Sequence, residues 1–276
     1  MILEGRTKGW AIAALFPLFF CLVTLVAKGI IYPLQASQVT LVTGSLGMGA
    51  LTLFAWWLSR IFKRPFLAWM PAAVVAAAGI ATFSGYSVLP IAALLLVAGF
   101  CLSSLVHRAP NTAISDRVIL GLALILGVSS WLVAFPLHYA WTYLVALGVI
   151  ILTQRKALLT AIVRVRERLA DSGELSGWAP LLFLAMATIS TVGLWLPSVG
   201  YDDNANHLLM ASQFIRQHYY SMDVSTQIWS LAPWGNNLLN AIASLLAGDD
   251  ARAVTGVIWL LLGFSGAYRL SRALGL

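Results

Sequence analysis

Long apolar blocks follow one another along this chain with almost no charge inside them, and that succession constrains the fold more than any other feature. A helix of roughly 20 apolar residues crosses a hydrocarbon core about 30 Å thick. In lipid the backbone polar groups must be satisfied within the segment itself, so helices are the expected element. The composition agrees: 60% of residues are hydrophobic and 10% are charged, against about 45–50% and about 25% in soluble domains. A soluble globule of this composition would leave large apolar areas facing water.

The expected fold is therefore all-α, a polytopic bundle of about nine spans. These fall near 10–27, 39–58, 67–86, 88–106, 118–136, 138–153, 179–198, 235–248 and 253–270. The last two, and the pair 67–86 and 88–106, are the least sharply bounded. Pro90, Pro110, Pro136 and Pro180 lie at or near proposed ends, where a missing N–H costs least. Gly44, Ser45, Gly47, Gly49 and the run Ala76–Gly79 are small enough for helices to approach closely. Cys21 and Cys101 fall inside spans and read as small core residues without a disulfide. The first block lacks a small-residue cleavage site, so it reads as a retained signal-anchor.

The net charge of +7 does not point to nucleic acid, because the basic residues cluster in short connections between apolar blocks. With a cytoplasmic N-terminus, Arg6, Lys8, Arg60, Lys63, Arg64, Arg108, Arg117, Arg155, Lys156, Arg164, Arg166 and Arg168 all fall on the inner side. Lys28 and Arg216 fall outside, and Arg269 and Arg272 end on the wrong side of a nine-span arrangement. The expected location is the cell membrane, with the bilayer as partner. Three parts follow: a six-span bundle over 1–153, a cytoplasmic linker over 154–178, and a module over 179–276. In the linker, Leu158, Ile162, Val165 and Leu169 recur at helical spacing among Arg164, Arg166 and Arg168. That pattern predicts an amphipathic helix on the inner leaflet, its basic groups meeting anionic headgroups.

The extracytoplasmic loop 199–236 is where acidic, His, Arg and amide residues gather at a membrane surface. Asp202 and Asp203 stand just beyond the seventh span. A juxtamembrane helix is expected from about 204 or 205 to about 219, with Leu208, Ala211, Phe214 and Ile215 on its apolar side. On such a helix Asp203 and His207 face the same way, as do Asp202 and Asn206 if it starts early. Asp203 or Asn204 can also serve simply as its N-cap. By itself His207 is more often an interfacial hydrogen-bonding group, and Arg216 a headgroup contact.

The stretch YDDNANHL, followed by APWGNNLLNAIASLLAGDDARAVTGVIWLLLGFSGAYRLSRALG, resembles the membrane-embedded GT-C glycosyltransferases. In that superfamily a span leads into a large extracytoplasmic loop, where an Asp and often a second acidic residue precede a juxtamembrane helix. A Pro-containing segment, a short span with a Gly-Asp turn and a span with a basic tail follow. The resemblance implies Asp202 as catalytic general base with Asp203 as its acidic neighbour. It implies His207 and Arg216 in substrate binding, together with Asn206, which stands where many members have Tyr. The donor it implies is a sugar on a polyprenyl phosphate, and the acceptor lies on the extracytoplasmic side. The departing phosphate needs cationic stabilisation, for which Arg216 is the loop's arginine. No residue is assigned as a metal ligand. Were a divalent cation used, the carboxylates of Asp202, Asp203 or Asp223 would suit Mg2+ or Mn2+.

The resemblance covers about 179–276, and the family's module continues beyond it. The chain therefore reads as the front portion of a longer enzyme or one that works with a membrane protein partner. Two other classes stand beside this one: a transporter or flippase of a lipid-linked substrate, and a non-catalytic membrane scaffold. Nearly charge-free spans count against transport.

Overall fold

A computed structural model of the chain describes residues 36–63, 70–107, 112–170, 178–194, 208–221 and 234–273. Among the described residues every regular element is helical. They run α1 (Ala36–Ile61), α2 (Met70–Ser84), α3 (Val88–Val106), α4 (Ile114–Leu132), α5 (Ala140–Thr153), α6 (Arg155–Ala170), α7 (Trp178–Thr191), α8 (Leu209–Gln217), α9 (Trp234–Ala247) and α10 (Arg252–Ala273), with a 3-10 turn at Val192–Leu194 after α7. Pro71, Pro90 and Pro180 each sit in the first turn of their helix, where backbone N–H groups have no intrahelical partner to lose. The expected segment 10–27 lies outside the described residues.

Among the described residues three stretches are long and apolar enough to cross a bilayer: Val42–Ile61 within α1, α3 and α4. A fourth is added if α5 and α6 count as one broken span, bent by 74° between Ala140–Thr153 and Arg155–Glu167. The helical bundle is as expected, while the described residues support three or four spans against the nine expected over the whole chain, and length is the reason. The 14 residues of α9 rise only about 21 Å, short of the roughly 30 Å a single crossing requires. Helix α4 starts earlier than expected and stops at Leu132 rather than 136. Phe135 precedes Pro136 and is pushed out of helical geometry.

The described helices form two compact units. In the first, α1 packs on α7 and on the 3-10 turn after it. Met48, Ala76 and Val192 make its buried cluster, flanked by Leu51 and Ile189. Within that apolar contact the hydroxyls of Thr52 and Thr188 meet at 2.8 Å, both side chains buried. The Met48 carbonyl also lies within reach of Thr52 and the Ala185 carbonyl within reach of Thr188, so one hydroxyl donates to the other, which donates to its own carbonyl. Each hydroxyl thus has a partner, which burial in an apolar contact demands.

In the second unit α3 and α4 form an antiparallel hairpin. Near its closed end Arg117 of α4 donates to Ser104 Oγ of α3 at 3.5 Å and lies 5.8 Å from the Phe100 ring centre. About one turn away the helices touch backbone to backbone. A Cβ on Gly121 would overlap the Gly99 carbonyl. This close approach involves Gly99 and Gly121, neither of which was among the small residues singled out from the sequence. Gly47, singled out from the sequence, faces open space.

Helix α5 turns back after residues 133–139 and packs on α3, while α9 packs against α3, α4, α5 and α8. From Asn237 to Leu245 every residue of α9 is buried, which makes it the interior helix of this unit. The unit's two ends differ in character. Tyr86, Trp131, Phe135 and Trp141 are exposed where α3 begins, α4 ends and α5 begins, with Trp131 85% and Tyr86 82% exposed. At the opposite end stand Arg117, Arg155 and Lys156.

Candidate functional site

Of the residues expected to carry chemistry, Arg216 is described. Asp202, Asp203, Asn206 and His207 lie outside the described residues, as does Asp223. What the structure gives is the seat of the helix that follows the Asp-Asp motif. Helix α8 begins at Leu209 with Leu208 in the N-cap position and no side-chain cap. The described helix therefore starts later than the 204 or 205 expected. Its buried face is Met210, Ala211 and Phe214. Ile215, expected on that face, is 37% exposed. Leu208 is half-buried. The sequence pattern was satisfied equally well by Ile215 or Met210, and packing on α9 selects Met210.

The C-terminal end of α8 is tied to the turn between α4 and α5. The His138 N–H donates to the His218 carbonyl at 3.0 Å, and the Tyr220 N–H donates to the Val133 carbonyl at 2.8 Å. His218 Nδ1–H donates in turn to the His138 carbonyl at 3.2 Å. Rings stack on either side of these bonds. His138 lies 4.0 Å from Phe214 and His218 lies 3.9 Å from Tyr139, centre to centre. His218 closes α8 in the left-handed region, with φ 65°. The stack and the paired bonds offset the cost that this conformation carries for a side chain with a Cβ. Gln213 Oε1 accepts from the Ser221 N–H at 2.8 Å and closes the turn that follows.

His138 is the centre of this junction and is buried. Nε2 faces the Leu132 carbonyl at 3.0 Å and Nδ1 faces the Tyr143 hydroxyl at 2.7 Å. A carbonyl can only accept, so Nε2 carries the proton and Nδ1 accepts from Tyr143. Ser129 donates to the Tyr143 oxygen in its turn. The chain Ser129→Tyr143→His138→Leu132 runs in one direction and suits a neutral imidazole. Burial pushes the His138 pKa below its ordinary 6.5, and the bond to the Leu132 carbonyl offsets this in part.

Arg216 lies on the exposed face of the last turn of α8, two residues before this junction. The carbonyl end of a helix favours such a cation. Its guanidinium is therefore held at the aromatic-rimmed end of the second unit, on a helix whose opposite face is locked. Among the described residues no group of three His, Cys, Asp or Glu side chains is arranged to hold a metal ion.

Sequence reasoning missed two features. One is His138 with Tyr143, in the stretch PLHYAW, where a His directly after a Pro-Leu turn between two apolar blocks was the available signal. The other is a buried polar stripe on α9. Asn237, Asn240 and Ser244 are buried and stand three and four residues apart, hence on one side of the helix. Ser244 donates to Asn240 Oδ1 at 3.5 Å and accepts the Ala251 N–H at 3.1 Å. The turn between α9 and α10 passes through Gly248 at φ 74°, and Asp250 there accepts from the Arg252 N–H and pairs with its guanidinium at 2.8 Å. Farther along, Trp259 Nε1–H donates to Asn236 Oδ1 at 3.0 Å.

Comparison of the chain with protein families, characterised proteins and solved structures found no match.

Proposed function

We propose that this chain belongs to a membrane glycosyltransferase of the GT-C type. It moves a sugar from a polyprenyl-phosphate carrier to an acceptor on the extracytoplasmic side. Asp202 is the general base that deprotonates the acceptor hydroxyl, with Asp203 beside it. Arg216 offsets the charge of the departing phosphate, and His207 and Asn206 orient the sugar. The chain crosses the cell membrane about nine times from a cytoplasmic N-terminus.

One observation carries this reading beyond the motif. The helix that follows Asp202 and Asp203 is docked on the end of the second unit rimmed by Tyr86, Trp131, Phe135 and Trp141. Exposed Trp and Tyr gather at membrane–water interfaces, and Arg and Lys gather on the cytoplasmic side. Arg117, Arg155 and Lys156 mark the other end of the same unit. That asymmetry supports an outer-surface site for a lipid-borne donor, whose polyprenyl tail stays in the bilayer while the sugar phosphate meets the α8 surface.

The transport reading draws on one feature, the buried polar stripe Asn237, Asn240 and Ser244. Ser244 accepts the Ala251 N–H of the α9–α10 turn, however, which gives that end of the stripe a structural task. The test is transfer by the protein in proteoliposomes, offered a panel of polyprenyl-phosphate hexoses and pentoses. Transfer by wild type with a raised donor KM in Arg216→Ala supports the proposal. Movement of the intact donor across the bilayer without bond cleavage contradicts it and favours transport.

A further inference from the structure

Helix α6 has a surface that the proposed sugar chemistry does not use. It leaves α5 through a 74° bend, so a helix that follows an apolar, bilayer-like segment turns sharply across it. Its exposed apolar residues lie over one broad arc: Leu159 is 62% exposed and Ile162 54%, with Val163 and Val165 also exposed. Leu158 and Ala161 are only half-buried. Arg155, Lys156, Arg164 and Arg166 are exposed on the same helix, against Glu167 as its only acid.

We propose that α6 is an interfacial docking element for the anionic headgroups of the leaflet that its basic residues face. Water alone would not tolerate an arc of Leu, Ile and Val this open, and a purely apolar partner would desolvate four cations. A layer that is hydrocarbon below and phosphate above satisfies both, because Arg and Lys stems lie along apolar surface while their charged ends reach the headgroups. Arg155 and Arg166 stand within the apolar arc itself, so their stems lie along hydrocarbon and their guanidinium groups must reach back to the headgroups. Lys156 and Arg164 stand on the polar side. Zwitterionic headgroups fill the same geometry but leave the excess positive charge unneutralised, so the surface selects acidic lipid. The bend places the helix where this is geometrically available. This inference is independent of whether the chain transfers sugar.

The test is amide hydrogen exchange over 155–167 for the whole protein in nanodiscs of phosphatidylcholine alone, and of phosphatidylcholine mixed with phosphatidylglycerol. The expected result is slower exchange in the acidic mixture, by on the order of tenfold, reversed by added salt. Arg164→Gln with Arg166→Gln removes most of that difference, and Arg155→Gln with Lys156→Gln does the same from the other end of the helix. Unchanged exchange in α9 certifies that the variants are folded. Equal exchange in the two lipids overturns the proposal. A lipid-dependent difference that survives both double substitutions overturns it too.

Discussion

Helices α6 and α8 are both short, both amphipathic and both outside the long apolar stretches, yet they meet opposite fates. In α8 the apolar face is closed by the protein: Phe214 is fully buried and stacks on His138, and the helix end is bonded to the α4–α5 turn. In α6 the apolar face stays open, with Leu159, Ile162, Val163 and Val165 exposed. Amphipathicity states that a face must be covered but not by what. The second unit supplies the cover for α8. For α6 the charge pattern and the bend assign it to the lipid surface. A fixed helix suits the presentation of Arg216, and a lipid-facing one suits sensing of the bilayer.

The largest effect is expected at the closed face. Phe214→Ala should destabilise the second unit by about 3–5 kcal/mol, read as a lowered midpoint in denaturation of the detergent-solubilised protein, with faster exchange confined first to α8. If the loss were spread evenly over the described helices, α8 would not be an independently docked element. Next comes the platform beneath it. Gly121→Ala forces a methyl into the Gly99 carbonyl and should cost about 1–3 kcal/mol, while Gly47→Ala, in open space, should be near neutral.

The junction also has a pH sign. His138 has a pKa below the ordinary 6.5 because burial opposes its charge. Its contribution to stability is therefore complete above 6.5 and is lost as pH falls below that value. Protonation would place a second N–H at Nδ1, facing Tyr143 where the neutral ring accepts. Among the described residues the titratable groups in contact across this junction are His218, Tyr139 and Tyr143, none of them a carboxylate that could offset the charge. A thermal midpoint that drops between pH about 7 and about 5.5, with a smaller drop in His138→Gln, is the expected outcome. A flat profile would mean the imidazole is not held neutral. The smallest effect belongs to the open face: Ile162→Ser should change stability in detergent by less than about 0.5 kcal/mol. A larger loss would show that α6 is covered by protein after all.

Much of the helical layout was legible because charge-free runs and helical spacing are local properties. Residues 88–106 were read as a span and form α3 with the same bounds, and the basic pattern of 154–178 contains α6. Bounds set by tertiary contact were not legible. Nothing near Gly121 in the sequence says that it meets Gly99, since the contact exists only once α3 and α4 pair. The rotation of α8 that buries Met210 and exposes Ile215 depends on α9, and the shortness of α9 is hidden in an apolar run that continues past Gly248 into α10. The site residues Asp202, Asp203, Asn206 and His207 rest on the resemblance of a short motif, and periodicity could not have assigned their roles.

The account turns on Asp202. The decisive measurement is sugar transfer from a polyprenyl-phosphate donor by Asp202→Asn and Asp203→Asn in membranes, with folding checked by unchanged exchange protection in α9. The account predicts a loss of roughly 10²- to 10⁴-fold for Asp202→Asn, with partial activity kept by Asp203→Asn. Wild-type transfer in both variants would contradict it and leave the two carboxylates without a catalytic role.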